Sequence, residues 1–178
     1  MSSLKQWRFA GIITIISLGF LLHYIYSWTG PSKIVGWFVP VNESVWEHLK
    51  LGYWSVVLFS IAEYSHLKNI VNNYYFAKLI GVLTLEITIL LIYYGYTFIV
   101  GKNILLLDIT SYIIGVIVCQ YVTYHLFLLK PFSKFCSRIS LVVFIAIGIL
   151  FGVTTYYPPH AVLFMDNSTK TFGIHKEK

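Results

Sequence analysis

Residues 74–100, YYFAKLIGVLTLEITILLIYYGYTFIV, decide the fold. About 20 predominantly apolar residues carry a helix across a bilayer. This run is longer than that, and only Lys78 and Glu86 in it are charged. Reading outward, segments at about 7–28, 43–66, 108–129 and 137–157 qualify as well. Gly30-Pro31, Gly101, Lys130-Pro131 and Pro158-Pro159 punctuate them. The sequence predicts an all-α integral membrane bundle of about five transmembrane helices, one domain over 1–178 with a short C-terminal tail at 158–178. No internal repeat or low-complexity segment interrupts it. The basic start and apolar run at the N-terminus look like a signal peptide, but no small-x-small site precedes His23. We read the segment as a retained first helix.

Composition agrees. The chain has 178 residues, of which 57% are hydrophobic and 11% charged, against roughly 25% charged in a soluble domain. Mean hydropathy is +0.73. The aromatic share of 18% suits interfacial belts and packed helices. A net charge of +6 does not point to nucleic acid, because the cations are scattered through short loops rather than gathered in a patch. Cys119 and Cys136 form no C-x-x-C pair and no disulfide framework.

Those scattered cations set an expected orientation. With the N-terminus cytoplasmic, Lys5, Arg8, Lys68, Lys78, Lys130, Lys134 and Arg138 lie inside, and Lys33, Lys50 and Lys102 outside. Lys170, Lys176 and Lys178 then follow the C-terminus outside. The expected location is the cell membrane.

That topology gathers residues far apart in sequence. His23, Ser27 and Trp28 end the first helix on the outer side. Pro40–Lys50, PVNESVWEHLK, opens the second helix there, with Asn42 as the expected N-cap and Glu43 in the favourable first turn. Asp108 and Ser111 begin the fourth helix at that level. His160 and Asp166 follow the fifth. Glu43 and Glu47 lie one turn apart, and Ser44 and His48 do the same on an adjacent face. Ser55, Ala62 and His66 continue that second face, a stripe that suits helix packing or a cavity wall rather than lipid. Glu47 and His48 do not make an H-E-x-x-H signature, so a metal needs ligands from other helices. His23, Glu47, His48 and His160 are the candidate ligands, with zinc the first guess among divalent transition metals. Glu43, Glu47 and Asp166 are the candidate catalytic carboxylates. Glu86 sits near mid-bilayer, where an unpaired charge costs about 3 kcal/mol on insertion scales. With Ser44 and Trp28 it marks a candidate substrate or proton path. Glu63, His66 and His125 are a weaker group on the inner side, where interfacial anchoring is the plainer reading.

The segments LLHYIYSWTG (21–30), PVNESVWEHLKLGYW (40–54) and TTYYPPHAVLFMDNSTKTFGI (154–174) resemble those of a family of small, mostly bacterial multi-spanning membrane proteins of unknown function. The likeness covers most of the chain. It implies that His23, Trp28, Asn42, Glu43, Ser44, Glu47, His48, Pro159, His160 and Asp166 belong to signature segments, and it carries no reaction with it.

Three functions stay open on the residues. One is a metal-dependent membrane enzyme acting on a lipid or other amphipathic small molecule, with the metal activating water or polarising the substrate. The second is a proton- or ion-coupled transporter, channel or transport subunit, in which Glu86 and Gln120 mark the path. For that role the 20.5 kDa chain needs a homo-oligomer or a partner subunit. The third is a structural scaffold latched by the outer cluster.

Overall fold

The computed structural model describes residues 2–30 and 32–174. Readings placed on Pro31, Lys176 and Lys178 lie outside them. Five helices run in order: α1 Ser2–Thr29, α2 Val45–Leu67, α3 Tyr74–Val100, α4 Leu105–Phe127 and α5 Lys134–Tyr156. Single 3-10 turns at Val35–Trp37 and Val162–Phe164 break the long connection before α2 and the segment after α5. Among the described residues there is no strand, only an isolated bridge between Met165 and Phe172.

Four helices, α1, α3, α4 and α5, are long and apolar enough to cross a membrane. The expected second span falls short of that measure, although α2 matches α4 and α5 in length at 23 residues. Glu47, His48, Lys50, Glu63 and His66 make it polar. Its polarity is turned inward. Thirteen of its residues are buried against six in α5, so α2 is an inner helix and α5 a peripheral one. The main apolar core joins Ile15 of α1, Leu49, Tyr53, Val56 and Phe59 of α2, Val82, Leu85 and Ile89 of α3, Val116 of α4 and Phe151 of α5.

Helix starts follow their caps. The second helix is capped by Ser44, not Asn42. The Ser44 hydroxyl accepts from the Glu47 N–H at 3.2 Å. Asn42 works one step earlier, accepting from the Ser44 N–H at 2.9 Å and donating to the Gly173 carbonyl at 2.9 Å. Glu43 therefore stands outside the helix and is free to turn. Ser133 caps α5 by accepting from the Cys136 N–H at 3.1 Å, which starts that helix about a turn before the sequence reading.

Two buried ion pairs sit at opposite ends of α2. At its N-terminal end Lys50 is 0% exposed. Its ammonium donates to Glu47 Oε2 at 2.9 Å, to the Gly36 carbonyl at 2.7 Å and to Thr155 Oγ1 at 2.7 Å. At the other end Lys78 pairs with Glu63, Tyr74 donates to Glu63 Oε2 at 3.1 Å, and the Lys78 ammonium lies over the Phe59 and Phe127 rings. Glu63, His66 and His125 do not converge. His66 bonds with Ser65 and packs on Trp7, while His125 packs on Tyr121.

A candidate metal centre in an intramembrane cavity

Four helices meet around a cavity of about 160 Å³ at the end of the bundle where α1 ends and α2 begins. Its walls are mainly apolar, including Phe20, Leu51, Ile89, Leu105 and Ile109. Polar groups gather at one side: His23 from α1, Glu43 and His48 beside and on α2, Tyr93 from α3, Asp108 from α4 and Asn167 from the tail. Tyr112 closes another part of the wall. Its phenol oxygen would meet a Cβ placed on Gly19 at 2.1 Å, so glycine there is what lets α4 seat its ring against α1. The hydroxyl donates to the Ile15 carbonyl at 2.8 Å.

His23, Glu43 and His48 each offer a ligand atom, and these atoms lie within 4.8 Å of one another. The His23 and His48 rings are 5.3 Å apart. His48 Nε2 lies 3.3 Å from Glu43 Oε2. Two ligands about 2.0–2.1 Å from a tetrahedral metal are separated by about 3.3 Å, so this edge already has metal-binding length. His48 Nδ1 lies 2.8 Å from the Ser44 carbonyl. A carbonyl can only accept, so Nδ1 carries the hydrogen. Nε2 and the carboxylate can then face each other only across a shared cation, either a proton on the imidazole or a metal. An imidazole whose second nitrogen donates to a backbone carbonyl is the usual support of a metal-bound histidine. The Glu43 carboxyl is held below the usual carboxylate range, chiefly by its bond with His48 and against its partial burial.

The sequence model of a family of unknown function, DUF6512, matches residues 1–174. The chain belongs to that family. No curated protein and no solved structure matches it.

The expected site residues of this DUF6512 chain separate into groups. His23 and His48 come together with Glu43, and the three could hold a metal. Glu47 turns away from His48 into the Lys50 ion pair, where its Oε1 accepts from Thr155 at 2.8 Å and its Oε2 from the Val41 N–H at 3.2 Å. Neighbouring residues on a helix diverge by about 100°, and here the two directions lead to different structures. Ser44 touches the group through its carbonyl. His160 packs on Phe172 with ring centroids 4.8 Å apart, away from the three ligands. Trp28 is 68% exposed and stacks on Tyr24. Glu86 is buried deeper, on α3.

Asp166 organises the tail that borders the cavity. Its Oδ1 accepts from the Ser168 and Thr169 N–H groups at 2.7 and 2.8 Å, and its Oδ2 from the Glu43 N–H at 3.0 Å. Asn167 adds bonds to the Glu43 carbonyl and the Tyr93 hydroxyl, both at 3.2 Å. Glu43 is thus held by the tail on both sides of its backbone. Neither Tyr93 nor Tyr112 stands out in the sequence. Aromatic residues are so common in this chain that two more carried no signal.

Burial alone would raise the Asp166 pKa, but the N–H groups of Thr169, Glu43 and Ser168 reverse this and hold it below its ordinary value. A depressed folded pKa contributes stability that is fully present above the unfolded value and lost as pH falls through the folded one. Asp166→Asn keeps one acceptor oxygen and turns an amide against a facing N–H. It is expected to lower stability by about 1–3 kcal/mol at neutral pH. The difference from wild type should shrink as pH drops below roughly 4, the unfolded carboxyl value. Thermal melts of both proteins across that range check this, and a gap that does not change with pH contradicts it.

Proposed function

We propose that His23, Glu43 and His48 bind a divalent transition metal, zinc on the preference of two imidazoles and a carboxylate, and that this centre serves a membrane enzyme. The observation that carries the reading is the forced orientation of His48. With Nδ1–H given to Ser44, its Nε2 faces the Glu43 carboxylate at 3.3 Å. Two histidines and one carboxylate are a ligand set that leaves a coordination position open, as catalytic centres require. A metal so held would activate water or polarise a carbonyl or phosphoryl oxygen.

The cavity supports the choice of substrate. Apolar walls lie beside a polar group and between helices that face lipid, an arrangement suited to an acyl chain carrying a polar head. The general base that the sequence reading assigned to Glu43 or Asp166 is better assigned to Asp108. Glu43 is a ligand in this reading and Asp166 is spent on backbone N–H groups. Asp108 lines the cavity and accepts from Tyr96.

Orientation in the cell membrane also belongs to this reading. Lys50 and Lys78 are buried in ion pairs and so do not report topology. Among the described residues, Lys5, Arg8, Lys68, Lys130, Lys134 and Arg138 remain at the end opposite the cavity, against Lys33, Lys102 and Lys170 at the cavity end. The excess favours a cytoplasmic N-terminus and a cavity opening to the outer leaflet.

The test is elemental analysis of detergent-purified protein, wild type beside His48→Ala. A near-stoichiometric metal in the wild type, lost in the variant, is expected. Wild type that takes up none after exposure to zinc, manganese or ferrous iron overturns the reading and leaves an imidazolium–carboxylate latch. The loaded protein is then incubated with phosphatidylethanolamine–phosphatidylglycerol vesicles and the products read by mass spectrometry. Lipid cleavage that disappears in His48→Ala supports the enzyme. Metal without turnover supports metal binding in a different service.

A further inference from the structure

Glu86 has no part in the metal group, yet it is the most unusual carboxyl in the chain. It lies near the middle of the 27-residue helix α3 and is 8% exposed. Among the described residues neither of its carboxylate oxygens has a hydrogen-bond partner. A carboxylate charge without donors or a cation is not sustained in the interior of a membrane bundle. The form this geometry permits is the neutral acid, bearing its proton.

A Cβ on Gly52 would run into the Leu85 side chain and stand 3.2 Å from Glu86 Oε1, so the absence of a side chain on α2 makes room for both. One turn along α2, Ser55 is 0% exposed, and its hydroxyl likewise has no hydrogen-bond partner among the described residues. From α4, the Tyr112 hydroxyl lies close to Ser55 but short of hydrogen-bond geometry, and within electrostatic reach of Glu86; the Cys119 thiol is within reach of Glu86 as well. The buried Lys78–Glu63 pair is two turns away along α3. The polar groups around Glu86 include two hydroxyls, those of Ser55 and Tyr112, which both donate and accept and can pass a proton on.

Tyr112 is shared between the two regions. Its side chain lines the metal-group cavity and approaches Glu86; its hydroxyl, which donates to the Ile15 carbonyl at 2.8 Å, turns from that bond to pass a proton. His48 and Ser55 are seven residues apart on α2, roughly 10 Å along its axis, so the Glu86 neighbourhood lies deeper in the bundle than the metal group. We infer that Glu86 is an exchangeable proton site in the membrane interior, its proton exchanging through the cavity with Tyr112 and Ser55 as relay. Only O–H bonds break and form: the acid hands its proton from one oxygen to a relay hydroxyl as its other oxygen takes up that hydroxyl's own proton, so the carboxyl stays neutral throughout. The site gives the bundle an exchangeable proton at mid-depth, reached from the cavity end. It stands on the buried carboxyl and its neighbours and does not require that a metal bind.

Infrared spectroscopy of the full chain in liposomes tests this. Wild type is expected to show the carbonyl stretch of a protonated carboxylic acid, absent in Glu86→Gln and moved in Glu86→Asp. On transfer to deuterium oxide the band should shift in the folded protein. In Tyr112→Phe that shift should slow by about tenfold or more, the rate effect of a barrier raised by one lost hydrogen-bonding step. The band and its exchange should be the same in wild type with and without added zinc, which separates this inference from the metal reading. No protonated-acid band in wild type overturns the proposal. So does a band that shifts only on unfolding, or equal exchange in wild type and Tyr112→Phe. Should Glu86→Gln fail to fold, the exchange comparison between wild type and Tyr112→Phe still decides.

Discussion

Lys50→Met is expected to lower stability by about 3–5 kcal/mol, because it leaves the Glu47 carboxylate buried without its cation. Glu47 is 3% exposed and Lys50 0%, so water cannot replace the lost partner. The ammonium also joins three pieces of chain. It bonds the Gly36 carbonyl in the connection before α2, Glu47 on α2 and Thr155 on α5. The peripheral helix α5 is held to the inner helix partly through this point. Removing both charges is a different perturbation from removing one. The double variant Glu47→Leu/Lys50→Met leaves no buried charge and is expected to recover most of the loss. Recovery should be incomplete, because the Gly36 carbonyl and the Val41 N–H lose partners, each lost bond contributing about 1 kcal/mol. Denaturation of the four proteins in one detergent gives the cycle. If the double variant is as unstable as the sum of the singles, the pair does not act as a unit, and the interpretation of Glu47 as structural fails.

The helices were legible because length and apolarity are local properties. Residues 74–100 read as one helix from their hydropathy and are one helix. The position of α2 was less plain. Its polar residues lower its hydropathy, and the sequence does not say that they are satisfied inside the bundle. Lys50 stands three residues after Glu47, a spacing that places both on one helix face, and this was the signal that a local ion pair was available. Glu47 also fits a metal-ligand pattern, so spacing alone does not choose between the two roles. His23, Glu43 and His48 were each legible as members of one membrane end. Which of Glu43 and Glu47 faces the histidines was not, because it depends on where the helix starts. With Asn42 as cap, Glu43 and Glu47 stack on one face. With Ser44 as cap, Glu43 leaves the helix and swings to His48. A shift of two residues in a cap decides the membership of the group, and Glu43, once outside the helix, is held by tail contacts from Asp166 and Asn167, more than a hundred residues away in sequence.

The pair Glu43→Gln and Glu47→Gln therefore tests the geometry directly. The two residues are of one type, four positions apart, and the same change is made in each. Glu43 is a half-exposed carboxylate whose side chain meets His48, and its backbone is held by the tail through groups that Gln keeps. Glu43→Gln is expected to change the melting temperature little and to weaken zinc binding by more than 100-fold, exceeding the 10–100-fold typical of a lost supporting residue. Glu47 is buried against Lys50 and outside the metal group. Glu47→Gln is expected to lower stability by about 3 kcal/mol or more, since it strands an ammonium in the interior. Its folded fraction should bind zinc as wild type does. Competition titration with a chromophoric chelator gives the affinities, and denaturation of the same samples gives the stabilities. The reverse pattern, with metal lost at Glu47 and retained at Glu43, would return Glu47 to the metal centre. Equal loss of stability in both with zinc uptake in neither protein nor wild type would make the cavity end a charge latch, with His48 bearing a proton where the metal reading puts the ion.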